Sequence, residues 1–499
     1  MGFDASVISG VVKFIEAEFS LTKIQIGWAV SSLTLTSTLA MIFAGPISNK
    51  IGRKKMLFYA AALYAISALG SALAPNFWFL VIARMIGGLG VGTSLILAPM
   101  YIAEIVPAKV RGRMVSLNQL NIVIGISTAF FTNYLILKLG QSDISWVQSL
   151  KIGENNWRWM LGLEFLPAFL YFFSLFIVPR SPRWLIMKGL NTEALQVLKS
   201  TRNENLAITE VETIKNSIEN EENKDKVKFT ELFKPALRFV LTIGIVIAIL
   251  QQITGINSVF FYAPMIFEQT GIGTDAAFSQ AIMIGLTNLV FTIVAILLID
   301  KIGRKTLLIF GISAIAIFMF ILSYGFSSAT YTLTEEGINK LPDEINKTEL
   351  YKLKDITYDN DIEFKSALKS VVGNEIFVKY EADFLKNAIT ANAILILIGI
   401  IGFVAAFAVS IGPVMWVMFS ELFPNRIRAI AISFVGLVNS ATSFSVQLIF
   451  PWEMAKIGSS GTFLLYGIFA AIGFIFILLK VPETKGKTLE ELEKILIKK

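Results

Sequence analysis

The chain contains neither cysteine nor histidine, and each absence closes a branch of chemistry. Without cysteine there is no disulfide, no thiol nucleophile and no thiolate metal site, and nothing ties the fold to an oxidising compartment. Without imidazole, any proton exchanged near neutral pH must ride on a carboxylate moved out of its usual range. Charge is scarce as well: 16% of the residues are Asp, Glu, Lys or Arg, against about 25% in soluble domains. Hydrophobic residues make up 55% of the chain and 40 of them are Phe, so water is not the main solvent of the folded molecule. The net charge of +7 would point to nucleic acid in a soluble protein. Lys and Arg retained on the cytoplasmic side of a membrane explain it better here, and no nucleic-acid partner is expected.

A helix needs about 20 predominantly apolar residues to cross the hydrocarbon. Such runs occur at 24–47, 56–74, 77–101, 114–137 and 159–178, then after a polar stretch at 237–264, 275–299, 306–326, 389–416, 427–450 and 461–480. These eleven are spans two to twelve. Met1 to Val12 is apolar around one acid but reaches only about 18 Å as a helix, so span one reads as an outer half, truncated at its N-terminus. No basic region and no small-residue cleavage site of a signal peptide precede the next polar loop. Lys50, Arg53, Lys54 and Lys55 share one short loop, Lys109, Arg111 and Arg113 another, and Lys301, Arg304 and Lys305 a third; such loops face the cytoplasm.

The expected organisation is an N-terminal six-helix bundle over 1–182, a cytoplasmic linker over 183–236, a second bundle over 237–481 and a cytoplasmic tail over 482–499. The linker alternates acids and bases at helical spacing and reads as short amphipathic helices. An extracytoplasmic insert at 327–387 carries eight Lys against twelve Asp and Glu. Its composition leaves a small folded cap and a disordered loop as equal alternatives. Internal repetition supports the two bundles. Asn49-Lys-Ile-Gly-Arg-Lys-Lys55 links spans two and three, and Asp300-Lys-Ile-Gly-Arg-Lys-Thr306 links spans eight and nine. Glu104 to Arg111 and Glu421 to Arg428 repeat E-x-x-P-x-x-x-R after spans four and ten, while Pro179 to Leu185 and Pro482 to Thr488 follow spans six and twelve. Paired six-span repeats place a solute site at their interface near mid-membrane.

Over nearly its whole length the sequence resembles the sugar porter family of the major facilitator superfamily. The residues that carry the resemblance are Gly2-Phe-Asp-Ala-Ser-Val-Ile-Ser-Gly10, the two K-I-G-R-K loops, Pro179 to Leu185, Gln251-Gln-Ile-Thr-Gly-Ile-Asn257, Gly412-Pro-Val-Met-Trp416 and Pro482-Glu-Thr-Lys-Gly486. The loop pair alone indicates the superfamily; QQITGIN with PETKG is specific to sugar porters. The resemblance implies an all-α membrane protein with the twelve-span major facilitator fold, alternating access by rocking of two six-helix halves, and a monosaccharide as cargo.

Asp4 lies about 12 Å below the outer end of its helix, with Arg84 and Glu164 each about 10 Å down theirs, so the three can share a layer. An ion at that depth costs several kcal/mol unless paired. In proton symporters of the family an Asp at the Asp4 position pairs with an Arg matching Arg84, whereas passive facilitators often carry a neutral residue there. The resemblance therefore assigns Asp4, Arg84 and Glu164 to proton coupling, against a purely structural buried cluster. A sugar offers a ring of hydroxyls, which calls for carboxamides and an aromatic face. Gln119, Gln251, Gln252, Asn257, Asn288 and Asn439 are amides within apolar spans. By resemblance they match sugar-contacting positions and Trp416 matches the stacking Trp; interhelical hydrogen bonding is the competing explanation.

Glu104, Arg111, Glu421 and Arg428, with Arg53 and Arg304 of the repeated loops, are expected to form the ion pairs that shut the cytoplasmic side. Gly87-Gly-Leu-Gly-Val-Gly92 holds a G-x-x-x-G spacing for close helix packing, and Gly486-Lys-Thr488 lacks the first glycine of a P-loop. No nucleotide site, cofactor or metal is expected, and energy must come from a gradient. Three departures stand out: Asn49 where the superfamily has Asp, Arg180 for the Glu of P-E-S-P-R, and Phe261 for a frequent Tyr. The reading is a monomeric, multi-pass carrier in the cell (inner) membrane, not an enzyme, that moves a monosaccharide by proton symport through Asp4 and Arg84. Its alternatives are a passive facilitator and a sugar sensor, the latter calling for a longer signalling tail than 482–499.

Overall fold

The computed structural model describes residues 1–222, 228–424, 426–487 and 491–493; Thr488 and the side chains of Lys109 and Asp300 lie outside them. Among the described residues, eleven helices are long and apolar enough to cross a membrane. They correspond to spans two to twelve. Span one is helical further than the apolar run suggests, as Gly2–Val7, a 3-10 turn at Ile8–Gly10 and Val12–Glu18. The turn loosens the hydrogen-bond ladder, and Asn133 of span five compensates by donating to the Val7 carbonyl at 2.9 Å. A Cβ on Gly10 would sit 2.5 Å from that amide.

Three other spans are interrupted near their middles. Span seven breaks between Arg238–Ile253 and Ile256–Phe261. Gly255 there has φ +89°, and a Cβ would lie 2.4 Å from the Tyr466 ring, so both backbone and space require glycine. Span ten breaks at Ser410, between Ala393–Val409 and Ile411–Leu422, and span six between Asn156–Gly162 and Phe165–Ile177. The expected close packing of span four is present: a Cβ on Gly88 would meet Thr36 Oγ1 at 2.1 Å and one on Gly92 the Ser37 carbonyl at 2.0 Å.

The sequence repeat becomes a repeated contact. Arg53, opening span three, pairs with Glu104 at 3.1 Å, and Ser181 donates to the same carboxylate. Arg304, opening span nine, pairs with Glu421 at 3.0 Å, and Thr484 donates to it at 2.5 Å. Glu483 also accepts from the Arg304 and Lys305 amides at 3.0 and 3.1 Å, neutralising that helix start. The corresponding residue in the first half is Arg180, which turns away to Glu193. Among the described residues no side chain accepts from the Arg53 or Lys54 amides in the way Glu483 does from Arg304 and Lys305.

The insert is a folded cap rather than a disordered loop, and it adds a small sheet to the otherwise helical fold. Strand Thr330–Thr332 leaves span nine and pairs antiparallel with Thr357–Tyr358 on one side and with Ile389–Thr390, which enters span ten, on the other. The small sheet thus closes the neck of the insert. Helices Asp361–Val372 and Asn374–Ala388 pack on it around a separate core that includes Tyr331, Leu333, Phe364, Phe377 and Phe384.

Within the cap, Glu381 accepts from Lys365 at 3.2 Å and Gln269 at 3.3 Å. Burial alone would raise its carboxyl, but the charges of Lys365 and Lys23 and the hydrogen bonds from Gln269 and Lys365 outweigh that and bring it to about 2. A carboxyl held below its unfolded value contributes stability that is complete above about pH 4.5 and lost as the pH falls towards about 2. Limited proteolysis of the cap should therefore be constant between about pH 7 and 5 and accelerate below about pH 4, with Glu381→Gln flattening the profile. Loosening between pH 7 and 5 would contradict this placement of charge.

Candidate functional site

A cavity of about 670 Å³ lies between the two halves. One wall is the polar face of span two, with Thr34, Ser37 and Thr38, backed by Val91 and Leu95 of span four. The other comes from spans seven, ten and eleven: Gln252, Asn257 and Phe261, then Trp416, then Asn439, Ser443 and Gln447. The last three are spaced i, i+4, i+8 and so stack on one helical face. The cavity continues past Ile430 and Phe434 to Phe229 of the linker, so it opens at the end that carries the basic loops. At the opposite end the halves touch. Thr34 donates to Gln447 at 2.9 Å, Trp28 meets Phe444 edge-on, and Lys13 pairs with Glu268 at 2.8 Å. This is an inward-open arrangement.

The amides form one network. Asn439 Nδ2 donates to Gln251 Oε1 at 2.7 Å and to the Ala248 carbonyl at 2.9 Å. Gln252 Nε2 donates to Gln251 Oε1 at 3.2 Å and to Asn439 Oδ1 at 3.3 Å. Asn257 Nδ2 donates to Gln252 Oε1 at 2.8 Å and to Ser443 Oγ at 2.7 Å. Gln251 Nε2 is spent on the Gly412 carbonyl at 3.1 Å, just beyond the break in span ten. Each bond spares a desolvation cost of several kcal/mol, so the side chains are fixed before any solute arrives. Among the described residues Asn257 Oδ1 has no protein partner, although the residue lines the cavity.

Of the seven residues expected to bind solute, Gln252, Asn257, Asn439 and Trp416 line this cavity. Gln251 stands behind it and props Gln252 and Asn439. Gln119 is exposed on span five and Asn288 buried on span eight, both outside the lining; an amide in an apolar run says nothing about which helical face it takes. Thr34, Ser443 and Gln447 were not anticipated. For Ser443 and Gln447 the signal was the four-residue spacing from Asn439 along one helix; Thr34, on span two, carried no such signal.

Asp4, Arg84 and Glu164 are all buried and within electrostatic reach of one another, as the shared layer required. The direct Asp4–Arg84 pair is not formed: Arg84 Nε donates to the Ala29 carbonyl at 3.0 Å, and both Asp4 oxygens lack a hydrogen-bond partner. Asp4 and Glu164 instead face a second cavity of about 250 Å³, with Tyr64, Ser94 and Tyr171. Ala5, the next residue, lines the large cavity, so one helix separates the carboxylates from the solute space. At the cytoplasmic end the gate pairs Arg53–Glu104 and Arg304–Glu421 each stay within one half. Arg428 donates to the Phe423 carbonyl at 3.0 Å and Arg111 is exposed. Of the residues expected to form the cytoplasmic ion pairs, Arg53, Glu104, Arg304 and Glu421 do so, each within its own half.

The family model described as "Sugar (and other) transporter" matches residues 1–340 and 370–496. The chain belongs to this family. An arabinose-proton symporter of Bacillus subtilis is 33% identical, with 100% of this chain and 92% of that protein aligned. A D-xylose-proton symporter of Escherichia coli is also 33% identical, over 99% and 92%. The inward-open xylose transporter XylE from E. coli superposes with a TM-score of 0.73 at 30% identity, covering 99% of this chain and 96% of that one. The major facilitator fold, with its twelve spans in two halves, follows from these matches and the helix inventory together, and so does the placement as a multi-pass membrane protein.

Closure of the outer end depends on Gly27, where a Cβ would stand 2.0 Å from the Leu448 carbonyl of the opposite half. A larger residue must hold the outer ends apart. Because the chain has no native cysteine, Thr34→Cys gives a clean reporter: an impermeant thiol reagent added outside should label it faster in a Gly27→Leu background, with transport reduced at least about tenfold. Equal labelling in the two backgrounds would refute the contact.

Proposed function

We propose that the protein carries a monosaccharide across the cell membrane together with a proton, the two halves rocking around the large cavity. The observation that carries the reading is the preformed carboxamide network on spans seven and eleven, on the same wall as Trp416, in a cavity reached from one side only. Hydroxyls of a sugar ring can accept from and donate to amides held this way, and its C–H face suits an indole. The named relatives handle arabinose and xylose, so pentoses are the cargo to try first. The solute leaves chemically unchanged, and one chain holds a whole pathway, which makes the monomer the working unit. Residues 1–182 and 237–481 form the rocking bodies, joined by the linker at 183–236.

Coupling is assigned to Asp4, with Arg84 and Glu164 as its electrostatic partners. A charged carboxylate at this depth is costly, and a proton or a guanidinium relieves the cost. Loading Asp4 with a proton from outside frees Arg84, and the released guanidinium takes the Ala29 carbonyl of span two, the contact seen in the inward-open arrangement. Proton state and helix position are thereby linked through span one, which presents Asp4 to one cavity and Ala5 to the other. The gate pairs at the cytoplasmic end brace each half as it moves.

Labelled-pentose uptake into proteoliposomes, with and without an inward proton gradient, tests the proposal. Asp4→Asn should abolish uphill accumulation yet keep sugar exchange, and Gln252→Ala should weaken sugar affinity by about ten- to a hundredfold, the cost of a lost buried hydrogen bond. Accumulation by Asp4→Asn at the parent level would leave a passive facilitator as the better account.

A further inference from the structure

Residues 341–369 fall outside the matched family pattern, yet they supply two charged anchors of the external cap, Asp361 and Lys365. Asp361 accepts from the Ser459 amide and hydroxyl, at 3.3 and 3.2 Å, where span twelve begins. Lys365 reaches Glu381 at 3.2 Å and also bonds Gln269 at the outer end of span seven. These anchors all lie on the second half. On its other flank the cap meets the first half: helix Asn374–Ala388 and the outer segment of span one line one narrow gap, with Glu381, Ala382 and Leu385 opposite Val12 and Glu16. Glu16 is joined at 2.5 Å to Lys23, the first residue of span two, and Lys23 lines a pocket of about 220 Å³ under the cap together with Lys365 and Glu381. The Lys23 charge favours the Glu381 carboxylate, while Glu16 and Glu381 repel each other.

We propose that the insert is an external clasp: seated on the second half through Asp361 and Lys365, it engages the Glu16–Lys23 pair of the first half with Glu381 and so holds the outer mouth closed. The clasp rests on the alternating-access reading above, since only moving halves can be clasped. Opening to the outside has to draw the end of span one away from helix Asn374–Ala388, and Glu381 then loses Lys23. The inserted segment therefore biases the resting protein towards the inward-open state, independently of the Lys13–Glu268 and Lys138–Asp275 pairs at the same rim.

Spin labels on the full chain in nanodiscs at Ser149→Cys and Lys456→Cys, exposed positions on the outer ends of the two halves, report the separation. Combining Glu381→Gln with Lys23→Met should raise the population with separated outer ends by about three- to tenfold. Lys340→Ala, on the exposed surface of the cap, should leave it unchanged. A second arm joins Glu16→Cys to Glu381→Cys with a short bifunctional thiol reagent, which should arrest sugar exchange until the link is cleaved. Unchanged separations in the charge variant, or exchange at the parent rate in the linked protein, overturn the clasp while the transport reading stands. A parent protein that shows one fixed separation with and without sugar and proton gradient overturns alternating access, and the clasp with it.

Discussion

A carboxamide placed in hydrocarbon must find a partner or lose several kcal/mol, and that constraint organises the middle of this molecule. Gln251, Gln252, Asn257 and Asn439 satisfy one another and reach carbonyls of spans seven and ten. Because each amide is held by at least one other, none can swing into lipid or collapse inward. The helices that bear them are locked together as one wall. A rigid polar wall facing a less constrained one is what a rocking carrier needs: under the proposed function, solute contacts stay fixed on the second half while the first half moves past.

The interruptions of spans one, seven and ten belong to the same logic. An unbroken helix satisfies its own backbone and presents only side chains, whereas a break frees carbonyls and redirects the chain at mid-membrane. Gly255 makes the turn that sets Gln252 and Asn257 on one side of the cavity, and Asn133 repairs the looser ladder beside Gly10. Span one has a second task in the proposed cycle. It presents Asp4 to one cavity and Ala5 to the other, so the proposal couples proton and solute through the position of a helix rather than through contact.

Much of this was legible in the sequence because hydrophobic length and repetition are one-dimensional signals. The eleven full spans, the basic loops and the Arg53–Glu104 and Arg304–Glu421 correspondence all follow from spacing along the chain. Which face a residue takes is harder: Gln119 and Asn288 resemble Gln252 in composition of surroundings but point elsewhere, while Gln447 was missed although its spacing from Asn439 marked it. Conformational state was not legible at all. Spacing marked Glu104 and Glu421 as ion-pair partners but not which arginine each would take, and it placed Asp4 beside Arg84 without showing that the two are unbonded in this state. The cap, finally, has alternating charge that suits a disordered loop equally well; its core of Tyr331, Phe364, Phe377 and Phe384 emerges only once the ends of spans nine and ten bring together Tyr331 and Ile389, far apart in the chain.

The central claim, that solute is held by the amide wall inside the large cavity, is tested most directly by a structure of the protein saturated with a pentose. The account requires the sugar within hydrogen-bond distance of Gln252, Asn257 and Asn439, one face of its ring against Trp416. A sugar bound elsewhere, with those three amides still bonded only to one another, would contradict it.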